Sequence, residues 1–213
     1  MIMDAAITLD GAAKETARIE FFSDAVFAIA ITLLALDIHV PEMHANESLV
    51  GALRHDWPSF LALLIGFFTL LICWINHHHM FTMIHRSDSI LLLMNGFKLL
   101  VVTLTPFATA VLSKHIGTPW QHAAVSIYCL NFALMGTAMT GLWSYAYAKG
   151  FAKAPARVLR ANTRLYIGAC LFATLIWLVS FISIVACLAL SVVMFMVFVS
   201  PQRASAWLLR GRR

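Results

Sequence analysis

The sequence predicts an all-α membrane protein with six transmembrane helices per subunit, and three observations lead to that fold class. Of the 213 residues, 61% are hydrophobic and only 12% are charged. The apolar segments are far longer than the alternating strands of about ten residues that build a membrane β-barrel. The basic residues flank these segments, which is the pattern of membrane topology. The net charge of +5 is therefore explained by basic residues that flank membrane spans, and we expect no nucleic-acid partner.

The first predicted span, residues 21–40, contains carboxylates at a depth where lipid does not tolerate them. Twelve uncharged residues separate Asp24 from Asp37, which corresponds to about 18 Å of helix. A bilayer core is roughly 30 Å thick, so the span includes at least one of the two. An ionised side chain at that depth must face protein or a water-filled path. The first span is therefore the candidate functional element.

Three more spans follow in order. The second covers about residues 58–80, with Pro58 in its first turn, where proline is tolerated. The third covers about residues 88–112 and has a predicted kink at Pro106. The fourth covers about residues 119–147.

Residues 165–200 form an almost continuous apolar stretch of 36 residues. As a single helix it would be about 54 Å long, well beyond a bilayer core. We predict two spans joined by a turn near residues 180–183. This count also places the basic connection at 149–164 and the basic tail at 201–213 on one side of the membrane. Residues 1–213 then form a single six-helix domain with both termini cytoplasmic.

The predicted topology brings polar residues of the first three spans to one depth. A buried carboxylate requires hydrogen-bond donors, and this layer supplies an indole, an imidazole, an amide and a guanidinium. Lys98 lies somewhat deeper and is a further candidate partner of Asp24. The alternative is that Arg18 and Lys98 only extend toward the interface, and that Asp24 is a hydrated helix-start residue. The residues of the layer are Arg18, Ser23, Asp24, Trp74, His77 and Asn95.

The first span also presents two stripes at helical spacing. One is bulky and apolar and consists of Ile29, Leu33 and Leu36; the other is small and polar and consists of Asp24, Ala28 and Thr32. Helix geometry alone leaves open which stripe faces a path through the membrane. Both can also be ordinary packing faces.

The histidine triplet at 77–79 is a weak metal or haem signal. Adjacent helical residues point about 100° apart, so one ion cannot bind all three. The sequence contains no catalytic or phosphate-binding motif and no T-V-G-Y-G potassium filter. We expect no enzyme, no cofactor and no structural metal. A haem or quinone protein stays a third possibility that rests on these histidines only.

Residues 18–24 have the form R-x-x-x-F-S-D and are followed by A-V-F-A-I-A-I-T-L-L-A-L-D-I. This segment resembles the signature of the transmembrane protein 175 family, which comprises the lysosomal potassium channel and its bacterial relatives. Trp74 and His77 in the second span extend the resemblance, as does the six-span layout. The resemblance implies a homotetrameric, potassium-permeable and potassium-preferring channel of the bacterial inner membrane, with potassium as the permeant ion and the first span lining the pore.

The resemblance also implies site residues. Those matching the apolar constriction are Ile29, Leu33 and Leu36, with Thr32 alongside. Those matching the interhelical brace are Arg18, Phe22, Ser23, Asp24, Trp74, His77 and Asn95. The competing hypothesis is a proton channel or a small proton-coupled transporter in which Asp24, His77 and Lys98 relay protons.

Overall fold

The computed structural model describes the backbone of residues 2–38 and 48–198, and the side chains of residues 16–36, 38 and 48–198. In these ranges the chain is an assembly of helices. The predicted end of the first span at residues 39–40 and the predicted basic tail at 201–213 lie outside the described residues. The helices are α1 (Ile2–Leu33) with a 3₁₀ turn (Leu34–Asp37), α2 (Leu49–His55), α3 (Trp57–Phe81), α4 (Ser89–Thr103), α5 (Thr105–His115), α6 (Gln121–Ala148), α7 (Ala156–Ser180) and α8 (Ile184–Phe198).

Five segments of the described chain are long and apolar enough to cross a membrane. They are Thr16–Leu36, Trp57–Phe81, Ser89–His115, Gln121–Ala148 and Ala156–Ser180. Helix α8 is apolar throughout but shorter, and its described part ends at Phe198. The sixth crossing and the orientation of the termini therefore stay predictions.

The third span is divided at Leu104, between α4 and α5. Pro106 lies in the first turn of α5, where its missing N–H leaves no hydrogen bond unmade. Within a continuous helix the same ring would clash with the carbonyl of Val102, four residues earlier. The Leu104 N–H instead donates to the carbonyl of Val101 in a tight turn at 3.2 Å. The expected kink is thus a short break in the helix.

Helix α7 begins at Ala156, well before the predicted start near residue 165. Arg157, Arg160 and Arg164 are therefore helical residues and not part of a loop, which corrects the predicted connection. All three are exposed. Their long stems allow the charged ends to reach the membrane surface while the backbone stays helical. Charge was thus a poor marker of where the helix begins.

The turn between α7 and α8 lies at residues 181–183, where the length argument placed it. The N–H groups of Ile182 and Ser183 both donate to the carbonyl of Val179, at 2.9 Å each. The Ser183 hydroxyl then accepts the N–H of Ala186 at 3.2 Å and caps the start of α8. These short-range hydrogen bonds let the chain reverse without a polar loop.

One apolar cluster positions the first span within the bundle. It joins α1 and its 3₁₀ turn to α3, α4 and α6, and it includes Phe27, Leu34, Leu70, Val102 and Met135. Each of these side chains is almost inaccessible to solvent. The cluster fixes which face of α1 is turned toward the rest of the chain.

Candidate functional site

Helix α1 is attached to the rest of the chain by one narrow face. The buried residues of this attached face are Ile19, Ser23, Phe27, Ala30 and Leu34. Their spacing of three or four residues places them on one side of a helix. This face packs against α3 and α4.

The opposite side of α1 is not covered by other described residues of the chain. The exposed fractions of Ile29, Leu33 and Leu36 are 58%, 41% and 70%. Thr32 is also exposed, and its hydroxyl donates to the carbonyl of Ile29 at 2.9 Å. Neither of the two stripes identified in the sequence is therefore the face by which α1 packs against the rest of the chain. We call Ile29, Thr32, Leu33 and Leu36 the open face of α1.

Asp24 is held by α3. Its carboxylate is half-buried and accepts the indole N–H of Trp74 at 2.7 Å. A hydrogen bond to an ionised acceptor is shorter and stronger than one between neutral groups. The arrangement fixes α1 to α3 close to the beginning of the apolar span.

Ser23 and Asn95 form a second polar link, from α1 to α4. The Asn95 side-chain amide donates to the Ser23 hydroxyl at 3.0 Å, and that hydroxyl donates to the carbonyl of Ile19 at 2.7 Å. Both side chains are buried. Ser23 and Asp24 are adjacent in α1, and their hydrogen bonds thus join α1 to two different helices, α4 and α3.

His77 differs from the hydrogen-bonding partner that the sequence led us to expect. It is buried, but neither ring nitrogen has a hydrogen-bond partner in the described part of the chain. Its ring lies among aromatic rings, 5.7 Å from that of Phe27 and 4.6 Å from that of Phe81. The histidine therefore packs beneath α1 instead of binding Asp24, because its ring faces apolar neighbours.

Lys98 is also completely buried. Its ammonium lies 4.6 Å from the centre of the Phe27 ring. Its Nζ has no hydrogen-bond partner among residues 2–38 and 48–198. Lys98 therefore contacts the attached face of α1 through an aromatic ring and not through Asp24.

Arg18 and Phe22 complete the predicted brace, and both are exposed. They line a cavity of about 570 Å³ between α1 and the start of α4, together with Asp88 and Asn95. Asp88 caps α4 by accepting the N–H of Leu91 at 2.8 Å. The carboxylate of Asp88 and the guanidinium of Arg18 thus line the same cavity.

The histidine triplet diverges as helix geometry requires. His77 is buried, whereas His78 is exposed and stacks on Trp74 with 5.9 Å between ring centres. Within the described ranges, no group of three or more histidine, cysteine or acidic side chains could hold a metal ion. The metal hypothesis therefore finds no geometric support in that part of the molecule.

The attached face is what sequence reasoning missed. Phe27, Ala30 and Leu34 gave no separate signal, because the first span is apolar on nearly every side. The i, i+4 relationship of Ile19, Ser23 and Phe27 was present in the sequence. It could not be distinguished from a lipid-facing row, since lipid tails are as apolar as leucine.

Comparison with known proteins identifies the family. The family described as "Endosomal/lysosomal potassium channel TMEM175" matches residues 18–106, which contain the polar links and the open face. A crystal structure of a lysosomal potassium-selective channel TMEM175 homologue from Chamaesiphon minutus superposes with a TM-score of 0.80 at 36% sequence identity. That alignment covers 87% of this chain and 97% of the other. The chain belongs to the TMEM175 family.

The names of the curated relatives describe two different functions, a potassium channel and a proton channel. A potassium channel from Chamaesiphon minutus is 43% identical over 135 residues, which are 62% of this chain and 66% of the relative. The human endosomal/lysosomal proton channel TMEM175 is 32% identical over 138 residues, which are 61% of this chain and 27% of the relative. The matches thus span less than two thirds of the length of these curated TMEM175 relatives.

Proposed function

We propose that four copies of this chain form a potassium-permeable, potassium-preferring cation channel in a bacterial plasma membrane. The observation that carries the proposal is the uncovered row of large apolar side chains on α1. Ile29, Leu33 and Leu36 are exposed along one side, while the opposite side is attached to α3 and α4. Copies that surround a common axis would bring these rows together into an apolar constriction.

The constriction would select ions by size and hydration. An ion crossing an apolar ring loses part of its water shell, and potassium gives up water more readily than sodium. No charged group binds the ion in such a path, so the preference is modest. Thr32 places one hydroxyl beside the apolar row.

The brace residues would hold the orientation of α1. The Trp74–Asp24 and Asn95–Ser23 hydrogen bonds join α1 to α3 and α4. Arg18 and Phe22 belong to the same proposed unit through the cavity between α1 and α4, and His77 belongs to it through its aromatic packing. A small rotation of α1 would change which side chains face the axis, so these contacts matter for permeation without touching the ion.

The relatives support this proposal through their names. One Chamaesiphon minutus relative is called a potassium channel, and the solved structure from that organism is described as a homologue of a lysosomal potassium-selective channel. Those activities belong to the relatives. For this chain they favour a channel.

Reconstitution into liposomes tests the proposal. The purified protein should carry potassium passively down its gradient, faster than sodium, with a flux that increases with the gradient and requires no counter-ion. The protein should elute from size-exclusion chromatography in detergent at the mass of four chains. A saturable flux that stops without a proton gradient would contradict the channel.

The second candidate is a proton channel or a proton-coupled transporter using Asp24, His77 and Lys98. Two observations favour it: the animal relatives are called proton channels, and His77 and Lys98 are buried in spans without a hydrogen-bond partner in the described chain. It predicts a pH-dye signal in liposomes that disappears in Asp24→Asn and persists in Leu33→Ala. The potassium channel predicts that Leu33→Ala has the larger effect on potassium flux.

A further inference from the structure

Lys98 is a buried basic side chain that the proposed permeation path does not use. It lies within the Ser89–His115 span and has no accessible surface. A lone ammonium in an apolar interior is costly, and intramembrane ionisable residues usually serve a function. Lys98 Nζ has no hydrogen-bond partner in the described chain. The role of Lys98 must therefore be inferred from its other contacts.

The contacts of Lys98 point to the back of the proposed pore helix. Its ammonium lies 4.6 Å from the Phe27 ring centre, a distance at which the ring face attracts a cation. Phe27 is fully buried on the attached face of α1. The open face, with Ile29 and Leu33, lies on the other side of the same helix. Lys98 is therefore one helix thickness behind that face.

The neighbouring groups do not cancel this charge. Cys73 and His77 on α3 are its electrostatic neighbours, and neither is a carboxylate. The carboxylate of Asp24, one turn before Phe27, accepts the hydrogen bond of Trp74. Protein and not water separates Lys98 from the open face, so mobile ions screen its field much less than they screen a surface charge.

We propose that Lys98 is a specificity-determining residue that excludes divalent cations from the pore. The proposal rests on the channel proposed above. The ammonium repels every cation at the constriction, and four copies would surround the axis with positive charge. Electrostatic energy scales with the charge of the ion, so a divalent cation meets twice the barrier of a monovalent one. The potassium-to-sodium ratio does not change, because both ions carry one charge.

The size of the effect follows from distance. The 4.6 Å to Phe27 plus a helix thickness of about 10 Å gives roughly 15 Å to the path. At an effective dielectric constant of about 20, one charge at that distance disfavours a monovalent cation roughly sixfold and a divalent one by about the square of that factor. Removing it should therefore raise divalent relative to monovalent permeability by roughly sixfold for each charge removed.

The experiment measures the Ba²⁺/K⁺ and K⁺/Na⁺ permeability ratios of reconstituted channels from reversal potentials. Ba²⁺ is used because it is close to K⁺ in size but carries two charges. Lys98→Met keeps the length of the stem and removes the charge, and it should raise the Ba²⁺/K⁺ ratio while leaving K⁺/Na⁺ unchanged. Lys98→Arg keeps the charge and should retain exclusion of Ba²⁺. Lys98→Gln is the second neutral variant, and size-exclusion chromatography verifies assembly of each.

The outcomes separate the two proposals. If the wild-type protein carries no potassium, the channel itself is wrong. If it carries potassium and passes Ba²⁺ equally well, the role of Lys98 is overturned without any substitution. The role is likewise overturned if an assembled neutral variant keeps the wild-type Ba²⁺/K⁺ ratio, or if K⁺/Na⁺ changes as much as Ba²⁺/K⁺ does.

Discussion

The indole N–H of Trp74 donates a 2.7 Å hydrogen bond to the carboxylate of Asp24 and thereby joins α3 to α1. Trp74→Phe keeps an aromatic ring but removes the donor. We expect this variant to lose about 1–3 kcal/mol of stability, because the half-buried carboxylate loses its partner. Thermal unfolding in detergent measures the loss. Trp57→Phe, at a site that is 54% exposed, is the control and should change little; equal losses in both variants would argue against the link.

Ser23 and Asn95 should be energetically coupled. Their side chains join buried positions of α1 and α4 through a 3.0 Å hydrogen bond. Each of Ser23→Ala and Asn95→Leu should destabilise the protein, and the double variant should lose less than the sum by about 1 kcal/mol. A double-mutant cycle from thermal unfolding measures the coupling. Strict additivity would show that the two residues act independently.

Asp88 should make stability depend on pH in the acid range. Its carboxylate accepts the N–H of Leu91 at 2.8 Å and the hydroxyl of Tyr145 at 2.7 Å, and these hydrogen bonds lower the pKa of the carboxyl. A lowered native pKa gives stability that is present above the unfolded-state pKa and is lost as pH falls through the native one.

The wild-type Tm should therefore fall on acidification from about pH 5 to about pH 3. Asp88→Asn should remove part of that slope, and Tyr145→Phe, which deletes one of the two donors, should remove less. An unchanged slope in Asp88→Asn would assign the acid sensitivity to another group.

A side chain at Gly66 should destabilise the protein. A Cβ there would lie 2.9 Å from Thr109 Oγ1 and 3.0 Å from Leu34 Cδ2, where α3 approaches α5 and the end of α1. Gly66→Ala should lose about 1 kcal/mol, since overpacking outweighs the helix propensity gained. Gly168→Ala, with no atom within 4 Å of its Cβ, should gain about 0.5–1 kcal/mol in the same assay. The reverse order would contradict the close approach.

The sequence predicts the helical bundle and the group of residues from which its interhelical hydrogen bonds at one end are formed. Long apolar runs located five of the spans, and a shared depth near one end of the first three helices grouped Ser23 and Asp24 with Trp74, His77 and Asn95. Within that group Asp24 pairs with Trp74 and Ser23 with Asn95, since a buried polar group in lipid has few partners from which to choose.

The rotation of α1 could not be predicted in the same way. Lipid and protein present equally apolar surroundings, so Phe27 and Ile29 look alike in sequence although the first is buried and the second exposed. The same limit applies to His77, whose depth was predicted but whose aromatic neighbours were not. The start of α7 at Ala156 differs from the predicted one, because long basic side chains beside a membrane occur in helices as well as in loops.

The central claim is that the open face of α1 lines the ion path, and two matched leucines test it most directly. Leu33 is on that face, whereas Leu171 is 66% exposed on α7. The measurement is the K⁺/Na⁺ permeability ratio of Leu33→Ala and Leu171→Ala channels in liposomes. The account predicts a larger conductance and a lower ratio in Leu33→Ala, with Leu171→Ala like the wild type. A wild-type ratio and conductance in Leu33→Ala, with both variants assembled, would contradict it.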